Sequence, residues 1–424
     1  MKIALLGYGK EGKSVGQYFT KHQQGVEYKI FTDFTPDEIR QQDFSGYDYV
    51  FRSPSVPPLH LNNETSVTKY FFDHCPCPII GVTATKGKGT ICSFIKSLLD
   101  AHHEDAHLVG NIGIPALDIL DSLRPTSIIV YELSSFQLWD LQKSPHIAIL
   151  GHLEPDHLNV HKDYEDYLAA KANITKYQSS RDYLVFNQNN TEAVKIAVAS
   201  KATKIAYPFN DYNKIETIIH DSVSLPGRHN QENAMAAIAT VACFYNISPD
   251  EYLRTKQDII LKGLSDFKGL PHRLEFIRDL DGIKIYDDNF ATNLSSTRVA
   301  INSFKNSNLT IIVGGRDKTN NKDLPELYSL LKSPQIKNII LIGESGHELA
   351  KRYHDNRFTL TESLEDAIHQ AIDKAHQAAT TDRDNILLMS PAAASFDMFQ
   401  NVYDRGDQFK LIINNLWART KITN

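Results

Sequence analysis

Residues 79–90 read IIGVTATKGKGT: a short apolar run (Ile79, Ile80, Val82), a turn of small residues, then Gly87-Lys88-Gly89-Thr90. A helical pattern follows at once, with Ile91, Phe94, Ile95, Leu98 and Leu99 near one face between Thr90 and His102. Strand, Gly/Thr turn and helix is the arrangement that cradles phosphates. Backbone N–H groups and the helix N-terminus face the anion, and a lysine neutralises it. Thr85, Lys86, Gly87, Lys88, Gly89 and Thr90 are the candidate grip. The spacing departs from the usual loop. Gly81 stands six residues before Gly87, one more than is common, and Gly89 holds the place of a Mg²⁺-binding Ser or Thr, leaving Thr90 as the nearest hydroxyl. The plain alternative is a Gly-rich strand-to-helix turn that binds nothing.

The chain around this stretch has 424 residues, enough for roughly three domains at ordinary domain sizes, and 42% hydrophobic residues, enough for a core in each. A formal charge of −6 argues against a nucleic-acid partner held by bulk electrostatics. Four cysteines are too few and too scattered for a disulfide framework, and Cys75-Pro76-Cys77 lacks a second ligand pair, so it reads as structural and not as a zinc site. No apolar run approaches ~20 residues and MKIALLGYG reads as a buried strand, which points to a cytoplasmic protein that spans no membrane.

Upstream, Ile3–Leu6 forms a strand entering Gly7-Tyr8-Gly9-Lys10-Glu11-Gly12, followed by a helix from about Ser14 to His22. This GxGxxG turn is the dinucleotide type of phosphate grip, with a tight strand–helix turn as the alternative. A second strand, Tyr28–Thr32, ends in Asp33, an acceptor for a ribose hydroxyl or a base N–H. Tyr47–Phe51 and the Ser53-Pro54 loop lie beside that crevice. Prolines 76 and 78 mark the first boundary.

Downstream, a β run over Ser127–Val130 ends in Tyr131-Glu132, where a carboxylate at a buried strand end is placed for Mg²⁺ or, alternatively, for a cap or ion pair. Ile147–Leu150 leads to Glu154-Pro155-Asp156-His157 and a helix from about Asp163 that carries Lys171 between alanines. A partly buried lysine loses its charge readily, and a neutral amine is what CO₂ needs to form a carbamate; the alternative is a snorkelling lysine. Pro226-Gly-Arg-His-Asn230-Gln-Glu-Asn233 opens a helix whose two amides face one way, for reading a base edge or for capping. A Gly/Lys-rich segment then reads as a linker. From about Leu270 strands Lys284–Tyr286, Leu309–Val313, Asn338–Ile342 and Asn385–Met389 alternate with helices near 294–305, 323–332, 345–354, 362–377 and 405–417. Loops carrying Asp288 and Thr292, Lys318, and Ser395 follow strand ends, so they should line one crevice, with Lys318 and Ser395 as carboxylate grips.

These motifs, in order over essentially the whole chain, resemble the Mur ligase family. The phosphate loop is similar to the family's GxTGTNGKST, with Ala84, Lys86 and Gly89 as departures, and YELSSFQL, EPDH, AAKANI, PGRHNQEN and LPHR match family blocks. SPAAASFD followed by Tyr-Asp-Arg405-Gly406 is the block most specific for D-glutamate addition. The resemblance implies three doubly wound α/β domains: an N-terminal Rossmann-like UDP-sugar domain (1–77), a central P-loop ATPase-like domain (78–269) and a C-terminal Rossmann-like amino-acid domain (270–424). It implies catalytic roles for Lys88, His157 and Lys171, and ATP held by residues 85–90 with Asn230, Asn233, Arg273 and Asp288. Thr90, Glu132, His157 and carbamylated Lys171 become metal ligands, with two Mg²⁺ sites. Gly9, Lys10, Glu11, Asp33, Ser53, Pro54, Asn111 and Ser134 would hold UDP-N-acetylmuramoyl-L-alanine, and Thr292, Lys318 and Ser395 would hold D-glutamate. The expected enzyme is a monomer in which the third domain closes over the second about residues 266–271. Two departures bear on the amino acid: Phe290 stands where the bacterial enzymes have a lysine, and Val402 stands where an aromatic lines the pocket. L-glutamate or another amino acid, and a non-catalytic nucleotide-sugar-binding relative, are the alternatives. The folylpolyglutamate synthetases lack the N-terminal GxGxxG unit.

Overall fold

The computed structural model describes residues 1–209 and 225–422. Three sheets follow one another along the chain. The first joins Lys2–Leu6 (β1), Glu27–Phe31 (β2), Tyr49–Arg52 (β3) and Glu64–Thr65 (β4), all parallel, in the order β2-β1-β3-β4. The helix after β1 starts at Lys10, four residues earlier than its apolar pattern suggests, because Gly9 in extended backbone ends the turn and serves as N-cap. Arg52, read as the start of a loop, closes β3 instead and is buried. Its guanidinium holds the Val56 carbonyl, Glu64 and Asp140, which fixes the 53–57 loop.

The second sheet contains Ile79–Thr83 (β5), Ala106–Gly110 (β6), Ile128–Glu132 (β7), Ile147–Leu150 (β8), Tyr183–Asn187 (β9) and Thr203–Tyr207 (β10). It is parallel throughout in the order β10-β9-β8-β5-β7-β6. The chain leaves β5 toward β6 and leaves β8 toward β9, so the order reverses between β5 and β8. In open parallel sheets that is where a crevice forms at the strand C-termini. Every residue of β5, β7 and β8 is buried, as expected of strands covered on both faces. The helix Lys88–Ala101 buries the predicted Ile91, Phe94, Ile95, Leu98 and Leu99.

The segment read as a linker, residues 266–271, carries no helix or strand beyond Asp266, where the helix Gln257–Asp266 ends. Gly263 lies in the helix Gln257–Asp266, where its carbonyl accepts the Ser97 hydroxyl at 2.6 Å. A Cβ there would come within 2.9 Å of Leu98 Cα, so the glycine marks a close helix crossing and not a flexible joint.

The third sheet contains Glu275–Leu280 (β11), Ile283–Asp287 (β12), Asn308–Gly314 (β13), Ile336–Ile342 (β14), Phe358–Leu360 (β15) and Asn385–Met389 (β16), in the order β11-β12-β16-β13-β14-β15. β11, absent from the sequence reading, runs antiparallel on the edge. The other pairings are parallel. β12, β16 and β13 are adjacent, so the three loops expected to share a crevice leave neighbouring strands. The chain separates into two compact units, Met1–Val223 with Gln231–Phe267, and Ser224–Asn230 with Lys268–Asn424. Among the described residues no helix is long and apolar enough to cross a membrane, and all four cysteines are free thiols.

Candidate active site

In the first sheet, the ends of β1, β2 and β3 enclose a cavity of about 280 Å³ lined by Gly7, Thr32, Asp33, Phe34, Ser55, Val56 and Pro57. Gly9 and Lys10 are exposed at the head of the 10–22 helix, and Ser53 and Pro54 border the cavity loop. Glu11 turns inward. Its Oε1 accepts from Gln137 Nε2 at 3.0 Å, its Oε2 is buried without a partner, and burial pushes its carboxyl up. Gln137 in turn forms a capping box with Ser134, so Ser134 is tied to the GxGxxG turn through one glutamine.

At the end of β5, Gly87 adopts φ 86° and N-caps the helix Lys88–Ala101. A side chain there would be strained and would also meet the Asn233 amide, 2.7 Å from a Cβ, so Asn233 is seated against the phosphate turn. Thr85 bonds Tyr167 at 2.8 Å and the Glu154 backbone, and Lys86 pairs with Glu154 at 2.7 Å. Gly89 and Thr90 are half-buried in the first helical turn.

Two lysines converge here. Lys88 Nζ donates to the Ala84 carbonyl at 2.9 Å and Lys171 Nζ donates to the same carbonyl at 2.8 Å. Lys171 is 1% exposed, also donates to Thr83 Oγ1 and lies over the Tyr167 ring. It does not snorkel. Burial first, and Lys88 second, hold its amine well below the usual lysine range. Glu132 is buried at the end of β7; its Oε1 accepts from Asn111 at 3.1 Å and its Oε2 has no partner. A buried carboxylate oxygen left unpaired is costly unless a cation completes it. His157 sits half-exposed at φ 54°, its imidazole held down by burial and by Lys88 and Lys171 against the pull of Asp156. Lys171 also feels Glu132 and Asp156, so Lys88, Glu132, His157 and Lys171 form one electrostatic cluster. An orphaned carboxylate oxygen, an accessible imidazole and a buried amine whose charge burial disfavours make a donor set that fits a divalent cation.

The helix Arg228–Phe244 carries Asn230 and Asn233. Asn230 donates its amide N–H to the Pro226 carbonyl at 2.8 Å, a bond to the turn that precedes the helix.

In the third sheet, Arg405 gathers the loops. It is fully buried, and its guanidinium reaches Asn289 Oδ1 and O and the carbonyls of Ala393 and Ala394. The Arg316–Ala394 bridge joins the 314–318 loop to the same strap. Asp288 is buried beneath the Ser390 hydroxyl and the Leu274 N–H, and burial pushes its carboxyl to about 7. Its neighbour Asp287 takes His272 Nδ1 at 2.7 Å. Arg273 is exposed and stacks over Phe290 at 4.8 Å, and the edge of Tyr403 meets Phe290 at 5.1 Å. Tyr403, the residue after Val402, is an exposed aromatic on this surface. Thr292 is half-buried, Lys318 is exposed and Ser395 is buried on these loops. The sequence reading gave no role to Arg405 or to His161. Arg405 is an internal charge that only its loop partners explain; the signal for His161 was its spacing of four from His157.

A parallel α/β core with a glycine-rich strand-to-helix turn and two converging amines, one of them buried, at its strand ends is the class of protein these features define. Two family descriptions match the chain: the Mur ligase middle domain over residues 82–241 and the Mur ligase glutamate ligase domain over residues 272–391. Curated relatives called UDP-N-acetylmuramoylalanine--D-glutamate ligase include one from Acetivibrio thermocellus, 32% identical with 89% of this chain and 84% of the relative covered. Another, from Clostridium botulinum strain Okra, is 30% identical over 98% of this chain and 97% of the relative. The chain belongs to the Mur ligase family. Its fold is similar to folylpolyglutamate synthase of Mycobacterium tuberculosis complexed with ADP and AMPPCP (TM-score 0.59, 15% identity, 82% of this chain and 94% of that one). MurF ligase of Thermotoga maritima in complex with ADP is also similar (TM-score 0.57, 14% identity, 87% and 90%).

Proposed function

We propose that the chain is an ATP-dependent acid–amino-acid ligase of peptidoglycan-precursor synthesis, adding D-glutamate to UDP-N-acetylmuramoyl-L-alanine. The convergence of Lys88 and Lys171 on one carbonyl, beside the orphaned Glu132 oxygen, carries this reading. The substrate carboxylate attacks the γ-phosphorus of ATP, the bond to ADP breaks, and an acyl phosphate forms. The amine of the amino acid then attacks the acyl carbon, phosphate leaves, and the amine's proton passes to solvent. Both steps gather anions, so the main task is to neutralise charge in a dry cleft.

Residues 85–90 and the helix N-terminus behind them hold the phosphates, with Lys88 supplying a cation and Asn233 bracing the turn. Asn230, Arg273 and Asp288 complete the ATP set. Lys171, its charge disfavoured by burial and by Lys88, adds its nitrogen in the neutral form to CO₂ and releases a proton, giving an anionic carbamate. The carbamate, Glu132, His157 and Thr90 are the groups that would hold two Mg²⁺. When bound, Mg²⁺ supplies Lewis-acid stabilisation of the phosphoryl charge. The cavity at β1–β3 with Gly9, Lys10, Glu11, Asp33, Ser53 and Pro54, together with Asn111 and Ser134, takes the nucleotide sugar. Thr292, Lys318 and Ser395 take the carboxylates of D-glutamate. The working divisions are 1–77, 78–269 and 270–424, in a cytoplasmic monomer.

The test is release of ADP and phosphate from ATP and UDP-N-acetylmuramoyl-L-alanine with a panel of amino acids. Turnover with D-glutamate alone is expected. Turnover with L-glutamate alone moves the specificity to the Phe290–Tyr403 surface and leaves the reaction class intact. No turnover with any amino acid overturns the reading.

A further inference from the structure

His161 is 2% exposed, and both of its ring nitrogens are engaged. Nδ1 lies 3.0 Å from Asp166 Oδ2 and Nε2 lies 3.0 Å from Ser135 Oγ. A carboxylate at Nδ1 fixes the proton there, so Nε2 accepts the Ser135 hydroxyl. The ring stacks on Phe136 at 5.2 Å and 8°, with Trp139 at 4.4 Å and the edge of Tyr167 at 5.4 Å. Phe136 also packs against His157, at 4.9 Å. The His157 carbonyl accepts the N–H groups of Val160 and His161, at 3.0 Å each, which holds His157 at its left-handed φ.

These contacts reach three segments. Ser135 and Phe136 lie just past Glu132 at the end of β7. His157 and His161 share the loop after β8. Asp166 is in the first turn of the helix Tyr164–Lys176, which carries Lys171. One buried ring therefore ties together the three segments that bear Glu132, His157 and Lys171.

We propose that His161 is a positioning residue that locks these segments in register, so that Glu132, His157 and Lys171 meet a divalent cation as a preformed set. The proposal rests on the reading of those three as its ligands. Side chains that orient metal ligands from behind typically change metal affinity or activity by about 10–100-fold when lost. His161→Phe keeps the stack on Phe136 and removes both hydrogen bonds. Ser135→Ala removes only the hydroxyl that Nε2 accepts.

The experiment titrates Mn²⁺ into the full chain with ring-labelled histidine and follows paramagnetic broadening of the His157 signal, assigned with His157→Gln. Half-broadening in His161→Phe should need about tenfold more Mn²⁺ than in the parent, with a smaller shift in the same direction for Ser135→Ala. In parallel kinetics kcat should fall by more than KM for the nucleotide sugar rises, since the cavity at β1–β3 is untouched and of the sugar set only Ser134 adjoins the locked segment. If His157 broadens equally in parent and variants, the positioning role is overturned and the ligand reading survives. If Mn²⁺ never reaches His157 in the parent, the ligand reading falls and takes this inference with it. Should His161→Phe fail to fold, Ser135→Ala decides by the same measure.

Discussion

The phosphate turn of the second sheet and the three loops of the third are both lined with buried charge, and they treat it in opposite ways. Around the phosphate turn, charge is left incomplete. Two amines compete for one carbonyl, and Glu132 keeps an unpaired oxygen. In the third sheet most of it is matched: Arg405 spends its guanidinium on four loop contacts and Asp287 is matched to His272 and Asn289, while Asp397 Oδ1 alone among the carboxylates of these loops is buried without a partner. An incomplete site gives up stability for the affinity it has in reserve. A completed one fixes loop shape and leaves exposed residues such as Lys318 and Arg273 at its rim. Substitutions should therefore separate activity from stability differently in the two regions.

Lys171→Met gives the sharpest separation. It removes a buried amine held beside a second cation, so ligation should fall by roughly 10³-fold or more while the melting temperature stays level or rises. Steady-state ligation with a thermal melt measures both, and intact activity in the variant would remove the carbamate from the mechanism. Glu132→Gln should do the same on a smaller scale. It keeps an acceptor for Asn111 and loses the charge, so the Mg²⁺ needed for half-maximal rate should rise about 10–100-fold. A parent-like Mg²⁺ curve would mean that Glu132 holds no metal.

Arg405→Met should invert the pattern. It strands Asn289 and two loop carbonyls, and losing one side of a buried charged network costs up to about 5 kcal/mol. Urea unfolding of the full chain, followed through exchange of the β12 and β16 amides, reads that loss. A cost below about 1 kcal/mol would show that the loops hold their shape without the guanidinium.

The two regions also differ in how far the sequence announced them. The phosphate turn was legible because its apolar run, glycines and helical spacing are local, and because the strands around it are apolar throughout. Lys171 between alanines was legible as odd and as partly buried, but its full burial was not, since that comes from Thr83 and Ala84 on a distant segment together with Tyr167 one turn away. β11 went unread because EFIRDL is a half-exposed edge whose polar residues mask its alternation. Arg405 was quoted within a motif but could not be given its task, because a buried arginine is defined by the carbonyls it meets.

The pH response of Asp288 is the finest probe of the contrast. Burial is the main cause of its raised pKa, followed by the opposing hydrogen bonds from Ser390 and Leu274, then the raising effect of Asp287. With a folded pKa of about 7 against 3.8 for the ordinary group, the folded unit holds this proton more tightly than the unfolded chain does. The stability it contributes is then complete below pH ~4, declines as pH rises toward 7 and is gone above it. Three units correspond to at most about 4 kcal/mol. Asp288→Asn cannot titrate, so its β12 and β16 protection should change less between pH 4 and 8 than that of the parent. Equal slopes in the two proteins would mean that the carboxyl is already ionised in the fold, with the Arg273 charge, the Ser390 hydroxyl and the Leu274 N–H together outweighing burial.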